Sequence, residues 1–545
     1  MTETPQHLII APILIPLLAG ALMLFYEDRD RQTKFIISLG ACAAMLVVAI
    51  ELLLRSKGEG PSGGNQIGLY LLGDWPTPFG INLVLDRLAA LMLVIASMLS
   101  LPALVYAYAG WQARGQHFHS LFMFQMMGVN GAFLTGDLFN LFVFFEIMLA
   151  ASYGLLLHGS GPDRVRSGMH YIVINLVASL FFLIGVSLIY GITGTLNMAE
   201  LARQMPYMEA EDRPLVHAAM AILGLVFLVK AGIWPLGMWL PAAYQSASAP
   251  AAAIFAILTK VGVYVILRLG FLAAGPAGGP SSGFGAEVLV AGGIATMIYG
   301  SFGILGSPAI GRMAGYAVLV SSGSVLGAVG LVLQGGGVTM LSGALYYMTA
   351  STLGLSALFL LVELVNRGQG SAAAMLALSA DLYGAPEDAP EEEQKGIAVP
   401  ATMTVLGLCF AALAVLLAGL PPFAGFLGKV IILSGLLQGG QGGTTASWIF
   451  MAILIVSGLA TLIALMRLGV QTFWSSGEEE GPKVLAIELA PIVALLLAVV
   501  VLTWQARPVM RYMEATASAL HRPDVYINGV ISAERTSDRE QEAAE

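Results

Sequence analysis

Four ionisable side chains lie inside long apolar runs: Glu146, Lys230, Lys260 and Lys429. Glu146 stands in Leu141-Phe142-Val143-Phe144-Phe145-Glu146-Ile147-Met148-Leu149, and Lys230 ends Leu225-Val226-Phe227-Leu228-Val229-Lys230. A charge at the centre of a bilayer costs about 2.5–3.5 kcal/mol on insertion scales, so four together cost about 10 kcal/mol or more. Packing alone does not require that expense. A carboxyl and an amine exchange protons when burial or a neighbouring charge changes which form is favoured, so these residues suit proton transfer. Glu146 and Lys230 could meet from two different helices, either as a fixed bridge stapling them or as a switchable pair. Lys260, in Ile257-Leu258-Thr259-Lys260-Val261-Gly262, adds a mid-span cation that cannot readily snorkel to water. Lys429 would serve a second half; the blander alternative is an interfacial lysine beside a shortened helix.

Weaker candidates surround them. Asp137 opens the segment that carries Glu146, where a carboxylate also favours the helix dipole. His117, His119, His158 and His170 fall at segment ends and read as solvated, with a proton entrance as the other option. Ser246, Ser248, Thr259, Ser321, Ser322, Ser324 and Ser351 could orient water along a cavity, though serines bonding back to their own helix fit equally well. Asp86 and Arg87 read as interfacial, and Glu363 with Arg367 as a surface pair. No His/Cys metal spacing, Gly-rich phosphate loop or flavin fingerprint occurs, so neither metal nor cofactor is expected, and redox chemistry within the chain is not.

The elements that must hold these groups are membrane helices. The chain has 545 residues, 57% hydrophobic and 11% charged, with a mean hydropathy of +0.81. A soluble protein carries about 25% charged residues, so the fold expected is an all-α polytopic membrane protein in a lipid bilayer. The net charge of −9 is concentrated in loops and the C-terminal tail and argues against nucleic acid. Cys42 and Cys409 lie alone in apolar runs and read as small buried hydrophobes. Met1 to His7 carries no Lys or Arg and reads as the approach to a first span rather than a cleavable signal.

Apolar runs of about 20 residues predict fourteen spans, near 8–26, 35–54, 81–109, 117–135, 138–158, 169–192, 214–245, 247–273, 286–306, 309–334, 339–366, 398–437, 446–473 and 484–506. The seventh and twelfth are overlong and interrupted by proline, which predicts broken helices. Connections after odd-numbered spans hold eleven Lys and Arg (Arg29, Arg31, Lys34, Arg114, Arg164, Arg166, Arg312, Arg367, Lys395, Arg467, Lys483). Those after even-numbered spans hold five (Arg55, Lys57, Arg203, Arg213, Arg268). That bias puts the odd connections in the cytoplasm and both termini outside it. Gly368 to Val399, with Pro386-Glu387-Asp388-Ala389-Pro390-Glu391-Glu392-Glu393, reads as a flexible acidic linker. The tail after Gln505 reads as polar, only partly ordered, and no domain.

The broken spans repeat each other. Ala231-Gly232-Ile233-Trp234-Pro235-Leu236-Gly237-Met238-Trp239-Leu240 parallels Ala418-Gly419-Leu420-Pro421-Pro422-Phe423-Ala424-Gly425-Phe426-Leu427, 187 positions on. Gly232, Pro235, Pro241, Gly419, Pro421 and Pro422 are therefore the expected hinges. Gly beside Pro interrupts the helix ladder. Backbone freed at that depth survives only when buried in protein or lining a hydrated cavity. Paired breaks in two halves are a transporter signature.

These residues carry a resemblance. Gly136-Asp137-Leu138-Phe139-Asn140-Leu141-Phe142-Val143-Phe144-Phe145-Glu146, Lys230 to Pro241, Leu258-Thr259-Lys260-Val261-Gly262-Val263-Tyr264 and Gly419 to Lys429 resemble the antiporter-like subunits shared by Mrp cation/proton antiporters and respiratory complex I. The likeness spans about residues 8–506. The lysine of the twelfth span, with Tyr346-Tyr347-Met348 and Ser351-Thr352-Leu353, looks most like the D-type subunit of Mrp antiporters, the Pha type of some bacteria. The resemblance implies two inverted five-helix repeats. The divisions are then 1–116 for three N-terminal helices, 117–273 for the first repeat, 274–473 for the second with its acidic loop 368–399, and 474–545 for the last helix and tail. It implies Glu146 and Lys230 as the first-half pair, Lys260 as the link and Lys429 as the second-half terminus.

It also implies a bacterial inner membrane, Na⁺ or K⁺ and H⁺ as the ions moved, and partner Mrp subunits in a hetero-oligomeric complex. The chain would be a secondary transporter subunit and not an enzyme; the alternative is a proton-pumping, non-redox subunit of a complex I-type oxidoreductase or membrane-bound hydrogenase. One departure stands out. Where many relatives carry a histidine near position 350, this chain has Ala350, flanked by Tyr347 and Ser351. A relay there would need hydroxyls or water.

Overall fold

Apolar runs without polar partners for their backbone become helices, because every N–H and C=O is then satisfied within the segment. The computed structural model describes residues 6–57, 67–383, 401–438, 444–473, 484–533 and 535, with side chains omitted for Gln6, residues 368–383 and Ala401. In chain order the elements begin with α1 (Ala11–Leu24), α2 (Arg31–Ser56), β1 (Gly68–Leu71), β2 (Asn82–Leu85), α3 (Arg87–Tyr108), α4 (Phe118–Leu134), α5 (Leu138–Leu157) and α6 (Pro162–Thr193). There follow α7 (Met198–Gln204), α8 (Arg213–Ala231), α9 (Leu240–Ser246), α10 (Ala249–Ala273), α11 (Ala286–Gly306), α12 (Ile310–Leu333) and α13 (Val338–Tyr383). The chain closes with α14 (Ala401–Ala418), α15 (Ala424–Gln438), α16 (Thr445–Phe473), α17 (Ala486–Trp504), α18 (Ala506–His521) and α19 (Asp524–Ile531).

Among the described residues, eleven helices are long and apolar enough to cross a membrane, and α1, α14 and α15 are apolar but shorter. Each of the fourteen expected spans has a helical counterpart, with α8–α9 and α14–α15 as the two broken ones. The connections sort by parity. After odd-numbered spans they meet at one end: His158 Nε2 lies 2.8 Å from the Trp111 carbonyl, Arg164 Nε donates to Ser246 O at 2.7 Å, and Arg467 Nη2 to Leu305 O at 2.7 Å. After even-numbered spans they meet at the other: Tyr512 and Ser56 hydroxyls at 2.9 Å, and Thr77 Oγ1 donating to Val530 O at 2.9 Å. Contacts between connections of like parity are what an up-and-down helical chain requires.

Helices α10, α12 and α13 are buried along nearly their whole apolar length, whereas α2, α6 and α17 expose most of theirs. Lys260, Ser321, Ser322 and Ser351 therefore lie in the buried interior.

Several expectations need correction. The third span does not start at residue 81: Asn82–Leu85 forms an antiparallel hairpin with Gly68–Leu71, and the helix begins only after Asp86. Asp86 is no loose interfacial group. Its Oδ1 accepts from Ala89 N at 2.9 Å as the α3 cap, and its carboxylate takes both Nη atoms of Arg268 at 2.6 Å. Arg268, counted above as a loop residue, lies buried within α10.

The tail is more ordered than expected. In α18, Tyr512, Met513, Thr516, Ala517 and Leu520 form one buried stripe packed on the bundle, and α19 follows. His119 and His158 are buried, not solvated. Arg367 joins Glu363 (2.8 Å) to the buried Glu488 (2.6 Å), and Glu363 also takes Trp111 Nε1 (2.7 Å), so the expected surface pair is part of a network tying three connections. The expected linker Gly368–Val399 begins as a continuation of α13 to Tyr383; residues 384–400 lie outside the described residues.

Candidate functional site

The two breaks share one backbone geometry. α8 ends at Gly232 (φ +79°) and α14 at Gly419 (φ +78°), a left-handed conformation that glycine adopts without a Cβ penalty. Gly232 N donates to Val229 O at 3.2 Å and Ile233 N to Leu228 O at 3.0 Å. Gly419 N donates to Leu416 O at 3.2 Å and Leu420 N to Val415 O at 3.0 Å. These pairs are 187 positions apart, the register of the sequence repeat. The Trp234–Pro235 and Pro421–Pro422 bonds are both cis. Trp234 N, released by the break, donates to Thr296 Oγ1 of α11 at 2.8 Å, and Pro241 lies in the first turn of α9.

Each break has an ammonium at the C-terminal end of its leading half-helix. Lys230 is there by sequence, the residue before the last of α8. Lys429 starts from α15 and reaches back, donating to the carbonyl of Ala418 at 3.0 Å. The carbonyl end of a helix favours a cation. Both lysines are buried, with Lys230 Nζ 5.8 Å from the Phe145 ring and Lys429 Nζ 5.8 Å from the Tyr347 ring.

Glu146 and Lys230 are not joined by an ion pair among the described residues; each is held by a side chain of α6 instead. Lys230 Nζ donates to Asn175 Oδ1 at 2.7 Å, and Glu146 accepts a short hydrogen bond from Ser179 Oγ. Asn175 and Ser179 are four residues apart, hence on one face of α6. Sequence reasoning missed both.

From Lys230 the line continues inward. Gly262 of α10 lies against the α8 backbone, so close that a Cβ there would come within 2.8 Å of Ala231 N and 3.1 Å of Lys230 Cβ. Two residues away, Lys260 Nζ donates to Ser321 Oγ at 3.1 Å and Ser322 Oγ at 3.2 Å of α12. Ser321 meets Ser351 of α13 at 2.8 Å. One turn from Ser351, Tyr347 faces Lys429. All four charges are thus held by neutral oxygens: an amide, hydroxyls and a carbonyl.

The accessory residues divide. Asp137 caps α5, accepting from Asn140 N at 2.8 Å, and burial pushes its carboxyl above the usual range against those amide bonds. Thr259 bonds back to Ala256 O at 3.4 Å and takes no part in the line. His170 is exposed and, with Ser246, borders a polar cavity of about 580 Å³. Ser248 is fully buried at the start of α10. No group of His, Cys, Asp and Glu able to hold a metal occurs among the described residues.

Two broken helices and a buried line of separated charges define an antiporter-like membrane subunit. The chain belongs to the family described as NADH:quinone oxidoreductase/Mrp antiporter, TM, whose model matches residues 135–464. It is 52% identical to the D-type subunit of a probable K(+)/H(+) antiporter of Rhizobium meliloti (strain 1021), over 99% of this chain and all of the relative. It is 33% identical to the D-type subunit of a Na(+)/H(+) antiporter of Alkalihalophilus pseudofirmus, over 96% and 99% of the two chains. Among solved structures, a chain of the Mrp complex from Dietzia sp. DQ12-45-1b superposes with a TM-score of 0.79 at 25% identity, covering 98% of this chain and all of that one. A chain of respiratory complex I from Thermus thermophilus shares the fold, with a TM-score of 0.70 at 22% identity over 94% and 99%.

Proposed function

We propose that this chain is the proton-translocating subunit of a multi-subunit Na⁺/H⁺ or K⁺/H⁺ antiporter in a bacterial cell membrane. It would work with other Mrp-type membrane subunits, as a secondary transporter and not an enzyme. The odd-numbered connections are cytoplasmic and both termini lie outside, in line with the Lys/Arg bias. Residues 117–273 and 274–473 act as two inverted repeats, supported by the matched breaks at Gly232 and Gly419. The relatives' names differ in their cation, and the described residues form no cage of carboxylates, so the cation is left unassigned.

The observation that carries this reading is the partner of each buried charge. A carboxylate beside an ammonium fixes both charged forms, whereas an amide, hydroxyl or carbonyl solvates an ammonium and still lets it release a proton. In the first half, protonation of Glu146 and release of Lys230 from Asn175 switch the two between separated and paired states. The change in charge is felt at Lys260, and through Ser321, Ser351 and Tyr347 at Lys429. Hydroxyls on α13 thus take the place of the missing histidine.

The test is Na⁺- and K⁺-induced dissipation of a pH gradient in everted vesicles from antiporter-deficient cells expressing the whole complex, with wild-type chain or Glu146→Gln. The expected result is loss of exchange while the subunits still co-purify. Exchange at the wild-type rate by Glu146→Gln would refute the proposal.

A further inference from the structure

Two arginines at the odd-numbered end have no carboxylate partner among the described residues. Arg166 lies exposed in the first turns of α6. Arg312, exposed at the start of α12, gives one donor to a neutral group: its Nε meets Gln245 Oε1 at 3.0 Å. Both border the polar cavity of about 580 Å³, together with Ser167, His170 and Trp239. Asp163 is the carboxylate on that cavity wall, so two fixed cations face one anion. The N-terminus of α6 adds a partial positive charge of its own. Trp239 is buried, and its Nε1 has no hydrogen-bond partner among the described residues. An indole N–H only donates, so the partner it lacks is an acceptor.

The cavity also has an apolar flank. Beside Arg166 and His170 on α6 runs the stripe Val165, Met169 and Val173, each exposed by about half. Residues four apart share one helix face, and on a helix that exposes most of its apolar length such a face meets hydrocarbon. Beside Trp239, Met238 is 60% exposed and borders the cavity. We infer that this cavity binds the phosphate of an anionic phospholipid, clamped by Arg166 and Arg312, with an acyl chain along the α6 stripe. A guanidinium fits a phosphate through two parallel N–H bonds, and Arg312 keeps both Nη groups for that purpose. A soluble phosphate would answer the arginines and leave the apolar flank without a role. A lipid answers both. The inference does not depend on which groups carry protons.

The test uses the purified, assembled complex in nanodiscs of phosphatidylcholine. A small fraction of phosphatidylglycerol, photoreactive near its glycerol, is the probe, and labelled peptides are mapped by mass spectrometry. The expected label falls on this chain around Arg166 and Met238, and is competed by plain phosphatidylglycerol but not by inorganic phosphate. Arg166→Gln with Arg312→Gln is expected to cut labelling about 25-fold, about fivefold for each cation facing an anionic headgroup. Arg166→Lys with Arg312→Lys keeps the charges and should label between the two. Arg166 is exposed, so the single Arg166→Gln, with its loss of about fivefold, reads the site even where the double variant fails to assemble. Equal labelling of wild type and Arg166→Gln overturns the inference. So does labelling that inorganic phosphate removes, which would make this a free-anion site, or label confined to a neighbouring subunit.

Discussion

Removing the amide that holds Lys230 is the sharpest perturbation of the first-half switch. Asn175 is buried, and its Oδ1 is the hydrogen-bond acceptor of Lys230 Nζ at 2.7 Å. Asn175→Leu keeps a similar volume and leaves the ammonium without that oxygen. A hydrogen bond to a charged group is worth about 1.5–3 kcal/mol. The separated state would lose that much against the paired one, a shift of roughly 10- to 150-fold in their ratio at 1.36 kcal/mol per decade. A switch so biased stays paired, so exchange in everted vesicles should fall at least about tenfold while the complex still co-purifies. Ser179→Ala releases Glu146 from the other side and should shift the balance in the same direction. Because both destabilise the same state of one equilibrium through different hydrogen bonds, their shifts should add, and the double variant should be worse than either single one. Wild-type exchange by Asn175→Leu across the active pH range would refute the reasoning.

Other outcomes follow from the same geometry. Gly232→Ala and Gly419→Ala each force a Cβ into left-handed backbone at about 1–2 kcal/mol, but at Gly419 the new Cβ would lie 2.6 Å from Lys429 Cδ, against 2.8 Å from a flexible Leu319 methyl at Gly232. Gly419→Ala should therefore lose exchange out of proportion to thermal stability, and Gly232→Ala should lose mainly stability. Asp86→Ala strands the buried Arg268 and should cost about 3–5 kcal/mol in the unfolding of the purified complex, most of it recovered by Asp86→Leu with Arg268→Met. Asp137 has its carboxyl raised by burial, so the native state holds its proton more tightly and stability falls as pH rises from the ordinary carboxylate value through the raised one. Asp137→Asn, which keeps the capping oxygen, should remove that slope in melting curves taken across the window. Ser322→Asp places a carboxylate where an oxygen now lies 3.2 Å from Lys260 Nζ; the complex should assemble normally and not exchange, and exchange at the wild-type rate would count against Lys260 as a carrier.

Much of this was legible in the sequence because membrane helices announce themselves by length and hydropathy, and because Gly-Pro breaks and buried charges are costly enough to be conspicuous. The hairpin was not. Asn82-Leu83-Val84-Leu85 is buried on both faces, so it lacks the alternation that marks a strand and merges with the apolar run of α3. Helix α18 was hidden by its polar composition, although its apolar positions recur at helical spacing from Tyr512 to Leu520. Asp86 and Arg268 are 182 residues apart, and nothing local in either sequence announces the other. Asn175 and Ser179 did leave a signal: two neutral polar residues, one helical turn apart, in the apolar run Tyr171-Ile172-Val173-Ile174-Asn175-Leu176-Val177-Ala178-Ser179. Attention to charge alone passes over such pairs.

The buried charges fall into two chemical kinds, and their positions explain the division. Asp86 with Arg268, and Arg367 between Glu363 and Glu488, are ion pairs at 2.6–2.8 Å, and they stand where connections meet at the two ends of the bundle. There each charge has a counter-charge, and the geometry fixes one connection against another. Glu146, Lys230, Lys260 and Lys429 lie within the spans, where an unpaired charge costs most, yet each is held by a neutral oxygen. If the interior had been arranged only for stability, the carboxylate and ammonium nearest one another would be in contact, since breaking a buried pair is itself costly. Each instead bonds to a neutral side chain of α6. An arrangement that accepts desolvation without pairing is what the proposed transport path needs and a structural staple does not.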